Sequence, residues 1–418
     1  MAERAGMKLI QAAAVIDAAG VHAAPGSLLL DGDTVLDAGS PESIGIPSQA
    51  EIIDETSAVI MPAMVNVHSH LDLSGLEPRP FSGRFETWLE SIRDQRISQQ
   101  ERGSLLADTR LGVELSLAGG VAFAGDIAGA GQLEPMHALQ DGPLGGISYI
   151  ECFGLGDRQD ASIERMRSVI DSVPGDAGGV RVGISPHAPY SCGPAVYDFA
   201  MATGLPVTTH LAESLEEEEV LFQETGPFRE LAERMDAWNE GTVMPRCHPV
   251  EAMRSSLEHR PILLAHLNYI EDEHVELLAQ TGSMVAYCPR ASDYFGHPHG
   301  GRPGHCYRQL LAAGVTVALG TDSRTCLDTP DRIGVLDEMR HLFIRDGADP
   351  MMLLAMATVH GARALELDES LVTFEAGSVG GVIAMDVPDP RHPDLLAAVL
   401  QHRNAPRWVV DPAAASRS

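Results

Sequence analysis

Lysine is nearly missing from this chain. Of 418 residues, Lys8 is the one lysine, and arginine supplies the other 28 of the 29 basic groups. Against them stand 59 acidic residues, for a formal net charge of -30. A shortage of positive charge on this scale excludes the basic footprint that nucleic-acid backbones require. It also excludes attraction to anionic lipid surfaces. The expected partner is therefore a small molecule, with no nucleic acid and no membrane. No CxxC pair occurs among Cys152, Cys192, Cys247, Cys288, Cys306 and Cys326, which argues against a zinc ribbon or a thioredoxin-like motif. Scattered reduced thiols fit a cytoplasmic protein. Long apolar runs are lacking too: none approaches the roughly 20 residues of a membrane helix. The N-terminal MAERAGMKLIQAAAVIDAAG is interrupted by Gln11 and Asp17 and makes a poor signal peptide.

What is present falls into two kinds of segment. Residues 7–58 read as short strands joined by DG and GD turns, as in GSLLLDGDTVLDAG. Similar pieces return after 366, in SLVTFEAGSVGGVIAMDVP and PRWVVDP. Two β-rich ends imply one small β domain, residues 1–58 and 366–418, built from both termini. Between them, at 59–365, eight apolar runs alternate with amphipathic helical stretches: AVIMPAMVNV, GGVAFAGDI, GGISYIECFG, GVRVGISPHAP, LPVTTHLAE, PILLAHLNYI, SMVAYCP and VTVALGTDS. Strands alternating with helices imply parallel pairing. Eight such units predict an α/β chain with a (β/α)8 TIM barrel.

Barrel enzymes carry their chemistry at the C-terminal strand ends. The first run ends in His68 and His70, the fourth in His187, the fifth in His210 with Glu213 beyond it, the sixth in His266 and the eighth in Asp322. Residues i and i+2 of a strand point the same way, so His68 and His70 can reach one ion together. With His210 and Asp322 they make a set suited to one divalent metal ion, zinc first, with iron and manganese as alternatives. Such an ion brings the pKa of a bound water towards ~7. Glu213 is placed to shuttle protons, and His266 to hold the water or polarise the group attacked. Some barrel hydrolases bridge two metals with a carbamylated lysine from a central strand. Lys8 lies in the terminal β segment, which leaves a single-metal site. A second H-x-H, His297 and His299, sits in a Gly/Pro loop that would preorganise ligands poorly. The EEEE run at 216–219 reads as a solvated helix face.

The pieces VNVHSHLD, SPHAPYS, THLAES, LLAH and LGTDS, in this order over about residues 60–325, resemble the amidohydrolase superfamily. Within it they resemble the cytosine/guanine/adenosine-type deaminases, which include S-adenosylhomocysteine deaminase. HSHLDLS, FETWLESIRDQR and CPRASDYFGH are similar to aminofutalosine deaminases. The resemblance implies a metal-dependent barrel with a small β-sandwich, often a homodimer. It further implies an aminohydrolase that releases ammonia from an amino-substituted N-heterocycle such as an adenosine-like nucleoside. Asp72, Trp88, His187 and Arg290 would then contact substrate. Amide or carbon–chlorine hydrolysis, as in chlorohydrolases, is the alternative chemistry, and a non-catalytic metal-binding relative the other. The chain departs from the family pattern at Ala63, Tyr287, Ser292, Arg324 and Cys326.

Overall fold

The structure, a computed structural model, describes residues 6–76, 78–173 and 179–412. The outermost parts of the expected terminal domain, 1–5 and 413–418, lie outside the described residues. All eight apolar runs contribute parallel strands: β1 (Met64–Ser69), β2 (Val121–Ala128), β3 (Gly145–Cys152), β4 (Val180–Pro186), β5 (Thr208–Leu211), β6 (Leu263–His266), β7 (Met284–Tyr287) and β8 (Val317–Leu319). They form two four-stranded parallel sheets, β1 to β4 and β5 to β8 in order. Single parallel bridges, Ile184 to Val207 and Ser69 to Asp322, join the sheets at both seams. The ring is thus closed, as a (β/α)8 barrel requires. β1, β2 and β3 are buried along their whole length, which is why they read as continuous apolar runs without alternation.

The termini build one eight-stranded sheet. Its hydrogen-bonded path runs through 377–378, 34–39, 26–31, 7–17, 51–62, 382–386 and 407–410, with 20–23 paired to 7–17. The run AVIMPAMVNV is divided here. Residues 58–62 pair with 382–386 in the terminal sheet, whereas 64–69 enter the barrel. Strand alternation explains how this sheet meets the barrel. Ala58, Ile60, Val382 and Ala384 face a local core with Ile10, Leu28 and Phe374. Their alternates Val59, Met61, Ile383 and Met385 join the large core around the barrel. Among the described residues no helix is long and apolar enough to cross a membrane.

Candidate metal centre

Barrel closure itself brings the strand ends together. The backbone N–H groups of Thr321 and Asp322 both donate to His68 O at 3.0 Å. One layer deeper, Asn66 Nδ2 donates to Thr321 Oγ1 at 2.8 Å and Thr321 N–H to Asn66 Oδ1 at 3.2 Å. These bonds fix β1 against β8. At the same level the backbone turns left-handed at Ala212 (φ 48°), His266 (φ 73°), Leu267 (φ 55°) and Asp322 (φ 58°). Positive φ at non-glycine residues costs of order 1–3 kcal/mol each, and it clusters where function demands a particular side-chain direction.

The result is a buried group of imidazoles and carboxylates. The ligand atoms of His68, His70 and Asp322 lie within 4.8 Å of one another, as do those of His68, His210 and His266, and those of Glu213, His266 and Asp322. His70 Nε2 is 3.4 Å from His210 Nε2 and 3.5 Å from Asp322 Oδ1. His210 Nδ1 is 2.9 Å from the carbonyl of His187 and donates to it, which leaves Nε2 bare towards the cluster. His68 is 1% exposed, yet neither of its ring nitrogens has a hydrogen-bond partner. Orphaned nitrogens at such depth are costly, and a cation between these rings would satisfy them. Burial first, and then the neighbouring imidazoles, hold His68, His70 and His266 well below the ordinary histidine range, so they are neutral and free to ligate. The donor set, three imidazoles with one carboxylate, fits a divalent transition metal.

Glu213 stands at the rim of this group, with Oε1 3.5 Å from His266 Nε2. Burial, then the charge of Asp322, raises its carboxyl well above the ordinary range. Burial also raises Asp322, to about 7. The main chain of Glu213 is gripped from two sides. Its N–H donates to Glu217 Oε2 at 2.9 Å, and its carbonyl accepts from Asn268 Nδ2 at 3.1 Å. Glu217 is fully buried, so the reading of the EEEE run as a wholly solvated face is corrected at this residue. Its side chain satisfies an inward-facing backbone donor. Asn268 Oδ1 in turn accepts from Ser292 Oγ at 2.9 Å, which gives that departure from the family pattern a local task. Tyr287 has one too: its ring stacks at 3.7 Å on His305, whose Nε2 donates to the carbonyl of His266 at 2.8 Å.

His187 closes the side next to His210, and its ring stacks on Phe153 at 4.7 Å. Ser191 Oγ donates to Ala188 O, so it accepts from His187 Nδ1–H at 2.7 Å. Burial brings the His187 pKa down to about 3. Asp72 is 1% exposed, and both its carboxylate oxygens lack a hydrogen-bond partner. Burial raises it to about 6, opposed by Arg96, whose Nη2 is 3.3 Å away. Arg96 also donates to Glu151 Oε2 at 2.8 Å and lies 3.5 Å from His70 Nδ1. Trp88 is half-buried against Phe85 and Phe295, with ring centroids at 6.0 and 4.8 Å. Arg290 is not brought to the histidines. Its guanidinium donates to Glu338 at 2.6 Å, Asp328 at 3.2 Å and Thr329 at 3.0 Å, tying helix Pro289–Phe295 to helix Val335–Asp346. His297 and His299 belong to no candidate metal group among the described residues.

Arg96, Glu151 and Asp126 were not anticipated. Glu151 and Asp126 end β3 and β2, so the strand-end rule that found His187 and His210 would have found them. Asp126 Oδ1 accepts from Leu71 N–H at 3.1 Å and supports the turn that carries Asp72. Arg96 lies on helix Phe85–Arg102, and only tertiary packing connects it to His70.

Comparison with known proteins gives the context. The family model described as the amidohydrolase family matches residues 59–412. The 5-methylthioadenosine/S-adenosylhomocysteine deaminase of Moorella thermoacetica is 27% identical over 368 residues, 83% of this chain and 78% of that protein. The aminodeoxyfutalosine deaminase of Deinococcus radiodurans is 29% identical over 375 residues, 81% of each chain. Among solved structures, Helicobacter pylori aminofutalosine deaminase, in complex with methylthio-coformycin, superposes with a TM-score of 0.77 at 18% identity, covering 97% of this chain and 99% of that one. Arthrobacter aurescens atrazine chlorohydrolase, complexed with zinc, gives 0.74 at 18% identity, covering 97% and 94%. The structural likenesses carry the fold.

Proposed function

The chain belongs to the amidohydrolase family, and from that premise we propose that it is a metal-dependent aminohydrolase acting on an amino-substituted N-heterocycle. The adenine ring of an adenosine-like nucleoside such as aminofutalosine is the substrate class we assign, with ammonia as a product. The observation that carries the reading is Glu213, a buried carboxyl 3.5 Å from His266 at the edge of the imidazole cluster. Relatives named as nucleoside deaminases from two bacteria support it.

His68, His70, His210 and Asp322 would hold one divalent ion, which we take to be zinc. When bound, such an ion supplies Lewis acidity and makes hydroxide available at neutral pH. The chain's own groups do the rest. Glu213 takes a proton from the attacking water and delivers it to the ring nitrogen beside the amino-bearing carbon. That nitrogen becomes N–H, and the carbon accepts the hydroxyl. Asp322 takes the hydroxyl proton and returns it to the amino group, which leaves as ammonia. His266 orients the attacking oxygen. Asp72, buried and ion-paired with Arg96 at 3.3 Å, binds hydroxyl donors of the substrate, with His187 and Trp88 lining the pocket. Arg290 serves from outside the pocket, by holding helix Pro289–Phe295 in place.

We assign the terminal sheet to a small β-sandwich domain of a cytoplasmic homodimer, as the family resemblance implies. Its first boundary with the barrel, expected at 58/59, is drawn at Ala63 instead, because strand 51–62 pairs within the terminal sheet. The test is ammonia release from adenosine, S-adenosylhomocysteine, methylthioadenosine, aminofutalosine, guanine and cytosine with zinc supplied. Release from an adenine nucleoside supports the reading. Inertness towards all six, with turnover of an amide or chlorinated heterocycle, would replace it.

A further inference from the structure

The loop after helix Pro289–Phe295 carries a histidine that no role above uses. His297 is 5% exposed, and its Nε2 is buried without a hydrogen-bond partner. Its tautomer follows from its neighbours. The backbone N–H of His299 donates to Tyr269 Oη at 2.8 Å, and that oxygen lies 3.0 Å from His297 Nδ1. The phenol has one proton. No other acceptor for the phenol O–H occurs among the described residues, so it donates to Nδ1, and the ring proton of neutral His297 resides on Nε2. Burial brings the His297 pKa down to about 3, so the ring is neutral. The molecule thus keeps a buried N–H donor with no acceptor, which is unfavourable unless something meets it.

The donor's neighbours connect it to residues that the proposed function places around the substrate. His297 packs among the aromatic rings around Trp88, with Phe295 at 6.0 Å. Its ring meets Phe85 edge-on at 5.5 Å, and Phe85 stacks on Trp88 at 6.0 Å. Its own N–H donates to Ser292 O at 2.7 Å, and Ser292 belongs to the chain that runs through Asn268 to Glu213. Asn268 and Tyr269 are consecutive. One stretch after β6 therefore sets the position of Glu213 and the tautomer of His297 together.

We propose that His297 is a substrate-binding residue, its Nε2–H donating to an acceptor atom of the bound heterocycle, a ring nitrogen or ring carbonyl. This rests on the aminohydrolase reading. It separates substrates by an acceptor at that position and leaves the proton transfers to Glu213 and Asp322.

Steady-state kinetics on the best nucleoside substrate, for the zinc-loaded wild type, His297→Phe and His297→Gln, tests this. Phenylalanine keeps the ring against Phe85 but has no N–H, whereas glutamine offers an amide N–H at similar reach. His297→Phe should raise KM about tenfold, the weight of one hydrogen bond, with kcat within about threefold and zinc content unchanged. His297→Gln should recover most of that loss. Equal kcat/KM in all three proteins, or an equal loss in both variants, would make His297 a packing residue and overturn the inference alone. A wild type that releases no ammonia from any member of the panel would overturn the aminohydrolase reading and this inference with it.

Discussion

Two buried polar clusters lie on neighbouring elements of this barrel and are built on opposite principles. In the first, Arg290, Arg332 and Arg340 are each met by a buried carboxylate: Arg290 by Glu338 at 2.6 Å, Arg332 by Asp337 at 2.8 Å and Arg340 by Asp337 at 2.9 Å. In the second, around the strand ends, His68 and His297 are equally buried and keep ring nitrogens without partners. A cluster that pairs its charges contributes to one fixed structure. The cluster with bare imidazole nitrogens has room for a ligand to complete it, and it is paired with left-handed backbone at His266 and Asp322. Burial and charge alone do not separate the two; the state of the partners does.

Substitutions in the two clusters should therefore fail in different ways. The largest effect belongs to the strand ends. His68→Ala, or chelation of the wild type, should abolish both bound zinc and ammonia release, read by elemental analysis beside a turnover assay. Glu213→Gln comes next. Zinc should stay bound while kcat falls about 10²–10⁴-fold, the usual weight of a positioned acid–base group. In the paired cluster, Glu338→Gln leaves the Arg290 charge buried opposite a neutral amide. It should cost about 3–5 kcal/mol of unfolding free energy, measured by denaturant titration, with near-normal kcat in the folded protein. A stable but inactive Glu338→Gln would erase the distinction drawn here.

Glu217 lies between the two principles, since it is buried, bonded to Glu213 N–H and pushed up to about 8 from 4.5. A carboxyl whose folded pKa is raised binds its proton in the folded state while the unfolded state has lost it. Its contribution therefore falls as pH rises from roughly 4.5 to 8 and is constant above. Glu217→Gln, which resembles the protonated form, should gain melting temperature over wild type at pH 8 and gain little at pH 5. Tyr287→Phe is the smallest change. It removes the 2.9 Å bond from Arg345 and should cost about 0.5–1.5 kcal/mol, visible only as a modest shift in melting temperature.

Much of the barrel was legible in the sequence because parallel strands buried on both faces must be apolar throughout and must end where the chain becomes polar. His68, His70, His210, His266 and Asp322 announced themselves by breaking that pattern at equivalent positions. The terminal sheet was legible as β structure, but the division of AVIMPAMVNV at Ala63 was not, since both halves are equally apolar and only pairing separates them. Arg96 and Glu217 were invisible for a different reason. Each sits in a polar helical stretch, and which charge on a helix turns inward depends on what it meets there. Arg290 shows the converse: a motif position resembling a substrate contact is spent on Glu338.

Ammonia release by zinc-loaded wild type and Glu213→Gln, side by side on the adenine nucleosides, is the measurement to make first. Aminohydrolase chemistry with Glu213 as the proton carrier requires turnover by the wild type on at least one of them, and a loss of about 10²–10⁴-fold in the variant with zinc still bound. Near-wild-type turnover by Glu213→Gln would contradict it.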